Sequence, residues 1–383
     1  MPTFTESPHR VPHEPLPSPS GGADGHPGRP TAHPDPASPA GGKRRGERLY
    51  VLDGLRIGAA LMVVLYHYTA RGGSWQQPVK DVFPELYRFT AYGYLGVQIF
   101  FVISGFVICM SAWGRPVKSF FVSRVVRLYP AYWFAVIATT VTLMVIPGGR
   151  RRLPGNDVLV NLTMLQQPLH VRHVDTVYWT LFTELRFYLL FLIVAWFGLT
   201  YRRVILFCCV WGAATLLVAE APHGPLRLLL IPEYSWFFIA GMAFYLMYRF
   251  QPNLLLFGIV GVSFLASLGP TVDEFQRLSF LAVKSVWPVT AVMGVSFGLM
   301  ALVATRKLSW IKWRWLPVAG ALTYPLYLLH QVIGWELIHF FGRRGVDPWL
   351  LVGSITAAML VVSYLVFRFV ETPVSRALKR RLA

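Results

Sequence analysis

A chain of 383 residues that is 55% hydrophobic and 15% aromatic, with long runs of Leu, Val, Phe and Ala, is too apolar for an ordinary soluble domain. Its net charge of +18 comes from basic residues held in short segments between apolar runs, the pattern that orients a membrane protein and not that of a nucleic-acid binder. Cys109, Cys208 and Cys209 all fall inside apolar runs, so neither a disulfide framework nor a thiolate metal site is expected. The composition defines an all-α integral membrane protein.

Residues 1–47 are expected to be a disordered cytoplasmic tail, because up to residue 42 they are rich in Pro, Gly, Ser and His with almost no large apolar side chain. They contain no apolar stretch of the kind a secretory signal needs, and Lys43, Arg44, Arg45 and Arg48 precede the first span as a topology anchor. His13, His26 and His33 reflect that composition and are not read as metal ligands. Apolar windows long enough to cross a bilayer follow near 52–70, 94–113, 129–147, 178–198, 203–219, 232–250, 253–270, 284–304, 317–340 and 349–370. They make a bundle of about ten transmembrane helices over residues 48–375, closed by a basic tail at 376–383. With both termini cytoplasmic, the inner segments also carry Arg115, Lys118, Arg124, Arg127, Arg202, Arg203, Arg249, Arg306, Lys307, Lys312, Arg314, Arg376, Lys379, Arg380 and Arg381, as the positive-inside rule requires. The outer segment 148–177, with Arg150, Arg151 and Arg152, runs against that rule. Longer than the other loops, it is expected to fold back on the bilayer surface or to cap an outer cavity.

The first span holds Arg56 and, eleven residues later, His67. Ionisable groups within a span are expensive and usually functional. A rise of about 1.5 Å per residue separates the two by about 16 Å, a cation near one face and a proton carrier deeper. A snorkelling arginine with a histidine bonded to a neighbouring helix explains the pair equally well. In the second span, Ser104-Gly105 suits close helix packing better than nucleophilic chemistry, since no base adjoins Ser104 in sequence.

Arg124 and Arg127, three residues apart on one helical face ahead of Tyr129-Pro130, match phosphate oxygens or simply set topology. Glu184 lies in the first turns of the fourth span, roughly 10 Å below the outer face and level with His67, where a carboxylate would fix the tautomer of His67. An ion pair with Arg186 or another helix is the alternative. Tyr324, Tyr327 and His330 form one polar edge of the ninth span, read as cavity lining without direct chemistry. His170, His173 and Asp175 have a loose metal-like spacing without a third strong ligand close by, and no metal is expected.

The pieces LDGLR with its histidine, GVQIFFVISGFVI, SRVVRLYPAYW, WTLFTELRFY and YPLYLLHQ, in this order, resemble the membrane-bound acyltransferase 3 family over residues 48–375. The resemblance implies a multi-pass enzyme of the cell (inner or plasma) membrane. Such an enzyme transfers an acyl group, acetyl by default, from acyl-coenzyme A to a hydroxyl of a carbohydrate, cell-envelope glycan or secondary metabolite such as a macrolide. On matching positions it implies a catalytic Arg56 and His67, phosphate-holding Arg124 and Arg127 beside Arg56, and Glu184 as the acidic position of the fourth-span motif. Because the sequence ends at Ala383, soon after its last span, the membrane domain itself is expected to complete the transfer. In the expected chemistry, donor phosphates sit on Arg56, Arg124 and Arg127, and neutral His67, oriented by Glu184, takes the proton of the acceptor hydroxyl.

A transporter or flippase is the rival from another class, with His67 and Glu184 as a proton relay. Many transporters carry internal repeats, and neither LDGLR nor SRVVRLYP has a second copy in the latter half of this chain.

Overall fold

Apolar segments bounded by proline, capping residues and charge become helices that end where the sequence changes character. In the computed structural model, which describes residues 49–72, 74–146, 153–221, 224–278, 281–283 and 285–382, they are α1 (Tyr50–Thr69), α2 (Val79–Val82), α3 (Pro84–Thr90), α4 (Gly96–Ala112), α5 (Val117–Val145), α6 (Gly155–Asn161), α7 (Trp179–Trp196) and α8 (Tyr201–Val218). There follow α9 (Pro225–Leu230), α10 (Ser235–Phe250), α11 (Leu254–Arg277), α12 (Trp287–Ala304), α13 (Leu316–Gly342), α14 (Pro348–Val366) and α15 (Thr372–Leu382). Proline within the first two positions starts α3, α9, α12, α13 and α14, where its missing N–H costs nothing. Thr200, Asn253 and Asp347 cap α8, α11 and α14 by accepting from the backbone N–H three residues on. The tail histidines, Lys43, Arg44, Arg45, Arg48 and Arg150 to Arg152 lie outside the described residues.

Among the described residues, ten helical stretches are long and apolar enough to cross a membrane and there is no strand, so the fold is the all-α, ten-span bundle the sequence predicts. Ile137, Val141, Ile193, Leu206, Leu217 and Leu254 are exposed on its outside, a lipid-facing surface that water would not tolerate at this extent. Two differences from the expected boundaries bear on the site and its neighbourhood. α5 begins at Val117, ahead of the predicted 129, because Pro116 supplies the extended turn before it; Arg124 and Arg127 therefore ride on the spanning helix itself, which runs through Pro130. The basic carboxy-terminal stretch is helical to Leu382 and docks on α5 through the bond from Ser375 Oγ to Val126 O (2.8 Å).

Two helix pairs set the geometry of the interior. α4 and α10 cross at Gly105 and Gly241, where an added Cβ would run into Phe238 and Val102 backbone respectively, so only glycine permits this approach. α1 and α13 run parallel, from Gly320 packed on the Asp53 side chain at one end to Gly334 packed on the Tyr68 ring at the other. This pairing brings residues some 260 positions apart in sequence to the same depth.

The segment before α7 dips into the bundle. Tyr132 OH donates to Asn161 O (2.5 Å), and the Asn161 side chain bonds Asp157, Arg172 and Val174 backbone, tying the descending chain together. Fully buried Asp175 accepts from the N–H of Val177 (3.1 Å) and from that of Val332 in α13 (2.9 Å), and Thr176 Oγ1 donates to Gln331 Oε1 (2.9 Å). The described part of the long loop thus packs into the bundle and starts α7 level with the middle of α13 and not at the bundle surface.

Candidate active site

At the Asp53 end of the α1–α13 pair, α1, α4, α5, α7 and α13 enclose a cavity of about 120 Å³. Arg56, Arg124 and Arg127 line it together with Glu184, Ser104 and Tyr188; Val97, Phe100, Val107 and Leu181 give it an apolar wall, and Tyr324 and Tyr327 close its α13 side. The three arginines predicted to act together do converge. Arg56 is paired with Asp53 at 3.7 Å, Arg124 donates to Ser123 Oγ at 3.3 Å and lies over the Phe120 ring, and Arg127 is exposed. Among the described residues Arg127 makes no hydrogen bond or ion pair, which leaves its five donors available to an anion.

Glu184 belongs to this end. Its Oε1 accepts from Ser104 Oγ (2.5 Å) and from Tyr188 OH (2.5 Å), linking α7 to α4. This corrects the expected Glu184–His67 pairing: because α7 starts deep in the bundle, counting down from its first turn overshoots, and Glu184 arrives at the level of the arginines. Nor does Glu184 pair with Arg186, whose guanidinium bonds Leu228 O (2.5 Å) and Thr183 Oγ1 (2.9 Å) and stacks over Phe182. Ser104, read as a packing residue beside Gly105, is instead a donor on the cavity wall.

Tyr324 and Tyr327 line the cavity as predicted, with their hydroxyls engaged by protein: Tyr324 OH donates to Leu128 O (2.9 Å), while Tyr327 OH donates to Val177 O (3.2 Å) and accepts from Thr180 Oγ1 (2.9 Å). His330 does not share that wall. It is fully buried one turn further along α13, its ring 5.7 Å from that of Tyr327, and its Nε2 sits 3.0 Å from His67 Nδ1. The partner of His67 is therefore His330, not Glu184. The parallel packing of α1 on α13 makes the contact.

His67 is itself 6% exposed, with Tyr66 edge-on at 5.0 Å, Trp335 at 5.7 Å, and Nδ1 also 2.9 Å from Val63 O. It is not among the residues lining the cavity; Phe100 and Tyr327, edge to face at 6.0 Å, form the wall on the side of the histidine pair. Sequence reasoning missed the His67–His330 and Glu184–Ser104 contacts, which no local spacing signals. The Glu184–Tyr188 bond was available from the i, i+4 rule. Beyond the bundle core, His173 bonds Gln166 (3.1 Å) and Asp175 caps backbone, so these two members of the loose metal-like trio hold the re-entrant segment, while His170 is exposed.

A bundle of apolar, span-length helices with a cavity lined by three arginines at one end and a pair of buried histidines beyond it defines a multi-pass membrane protein. Residues 49–368 match the family model described as an acyltransferase domain, and the chain belongs to the acyltransferase 3 family. It is 25% identical over 380 residues to Acyltransferase MdmB of Streptomyces mycarofaciens, an alignment that covers 87% of this chain and 93% of that one. No solved structure matches the chain.

Proposed function

We propose that this acyltransferase moves an acyl group, acetyl by default, from acyl-coenzyme A to a hydroxyl of a carbohydrate, cell-envelope glycan or secondary metabolite, with His67 as general base. The observation that carries the reading is the convergence of Arg56, Arg124 and Arg127 on one cavity at one end of the bundle. Guanidinium forks bind phosphate oxygens bidentately, and coenzyme A is a polyanion made in the cytosol, so this end is assigned to the cytoplasmic face of the cell membrane.

A cavity of about 120 Å³ is small beside the roughly 300–1,000 Å³ usual for drug-sized ligands. It accommodates the thioester end of the donor, while the nucleotide stays at the arginine mouth. The Phe100–Tyr327 pair must part for the thioester to reach His67. There the acceptor oxygen forms the new C–O bond as His67 takes its proton, the C–S bond breaks, and His67 returns the proton to the departing thiolate, giving the ester and free coenzyme A.

The test is acetyl-coenzyme A binding to purified detergent-solubilised protein, followed by transfer of labelled acetyl to a panel of hydroxylated acceptors. Saturable binding with transfer that His67→Ala abolishes is the expected result. A folded protein that binds no donor at millimolar concentration overturns the reading.

A further inference from the structure

We infer that His330 is a positioning residue that holds His67 in its Nδ1–H tautomer and thereby presents Nε2 as the basic lone pair. The inference rests on the reading of His67 as general base.

A carbonyl oxygen can only accept a hydrogen bond. His330 Nδ1 lies 2.8 Å from Tyr327 O and 3.1 Å from Leu326 O, so it carries the ring hydrogen, and the neutral imidazole offers its lone pair at Nε2. That Nε2 is 3.0 Å from His67 Nδ1, whose other neighbour is Val63 O at 2.9 Å. Both neighbours accept, so His67 Nδ1 is the donor, its hydrogen shared between them. By elimination His67 Nε2 is bare. It has no hydrogen-bond partner among the described residues, yet it is not one of their fully enclosed unpartnered atoms, so it borders open space.

Two cross-helix bonds hold the main chain that carries both rings. Trp335 Nε1 donates to His67 O (2.7 Å), and Tyr68 OH donates to His330 O (2.8 Å). The arrangement does the work of the carboxylate in a serine-protease triad, which keeps its histidine in one tautomer and steadies the imidazolium once the proton arrives. In an apolar interior a carboxylate would need its own compensating charge, whereas a neutral imidazole accepts the same hydrogen bond without one. The covalent chemistry is unchanged: the proton taken at His67 Nε2 leaves again to the thiolate, and His330 keeps its own throughout.

The experiment combines nitrogen-15 histidine NMR of the full-length protein in lipid nanodiscs with turnover, for wild type, His330→Phe, His330→Gln and His67→Ala, the last also assigning the signals. Wild-type His67 should show a protonated Nδ1 and an unprotonated Nε2. His330→Phe fills the volume without an acceptor; it should populate the Nε2–H form and lower kcat by about 10²-fold or more with donor KM unchanged. His330→Gln, which can donate to the carbonyls and accept from His67, should recover part of both the tautomer and kcat. A wild-type His67 protonated on Nε2 overturns the inference whether or not the variants fold, as does a folded His330→Phe with unchanged tautomer and kcat. Full turnover by His67→Ala instead overturns the general-base reading, and with it the catalytic role of His330, even where the tautomers are as described.

Discussion

At the Asp53–Gly320 end of the α1–α13 pair the side chains are charged: three guanidiniums, of which Arg127 is exposed, and the carboxylates of Asp53 and Glu184. At the Tyr68–Gly334 end, along the same two helices, two imidazoles bond each other beneath Tyr66, Tyr68 and Trp335 with almost no exposure. Under the proposed function, the contrast separates two tasks within one bundle. Holding a polyanion needs formal charge near solvent, whereas abstracting a proton needs a base that is uncharged, oriented and dry. Under the proposed function, the helix rise between Arg56 and His67, about 16 Å, separates the donor-phosphate site from the base.

The sharpest break in this comparison is His67→Ala, expected to lower turnover by about 10²- to 10⁴-fold while donor affinity stays as in the wild type, read by labelled acetyl transfer beside a binding isotherm. Next in size, Arg124→Ala combined with Arg127→Ala should weaken acetyl-coenzyme A binding by roughly 10- to 100-fold, as expected for losing charge-assisted hydrogen bonds. The wild-type affinity should fall with added salt more steeply than that of the variant.

Glu184→Gln sharpens the boundary between the ends. It weakens the bonds from Ser104 and Tyr188, and should cost about 1–3 kcal/mol of stability, seen in thermal unfolding, while keeping far more turnover than His67→Ala. Equal losses in the two variants would put Glu184 back at the histidine. Phe100→Ala shortens the wall between the ends and should shift preference toward longer acyl donors, measured by competition between acetyl- and butyryl-coenzyme A.

The smallest effect concerns the re-entrant segment. Burial holds the His173 imidazole below its usual range, so the folded state resists a proton that the unfolded state accepts. His173 then contributes stability above about pH 6.5, the unfolded value, and that contribution is lost as pH falls toward its lower folded value. Proteolysis of the 153–176 segment should rise over that interval, and His173→Gln should remove the rise.

The ten spans were legible because a bilayer demands some twenty apolar residues in a row, a signal that survives without any tertiary information. The Arg56, Arg124, Arg127 grouping came from the family resemblance, since the residues alone fit a topology-setting role equally well. Partner choice in the interior was not legible. Counting residues from the start of α7 puts Glu184 level with His67, but Asp175 on the backbone of Val332 sinks that start below the surface. His330 reads in sequence as part of a polar edge, but its meeting with His67 depends on α1 and α13 running parallel, a packing fact set by Gly320 and Gly334 and invisible in either helix alone.

The most direct test of the division between the two ends is one paired measurement, the acetyl-coenzyme A binding isotherm and the single-turnover transfer rate, made on His67→Ala and on Arg127→Ala. The account predicts opposite signatures: His67→Ala binds the donor as the wild type does and fails to transfer, and Arg127→Ala binds weakly but transfers at a near-normal rate once saturated. Loss of donor binding in His67→Ala, or normal binding at every salt concentration in Arg127→Ala, would contradict it.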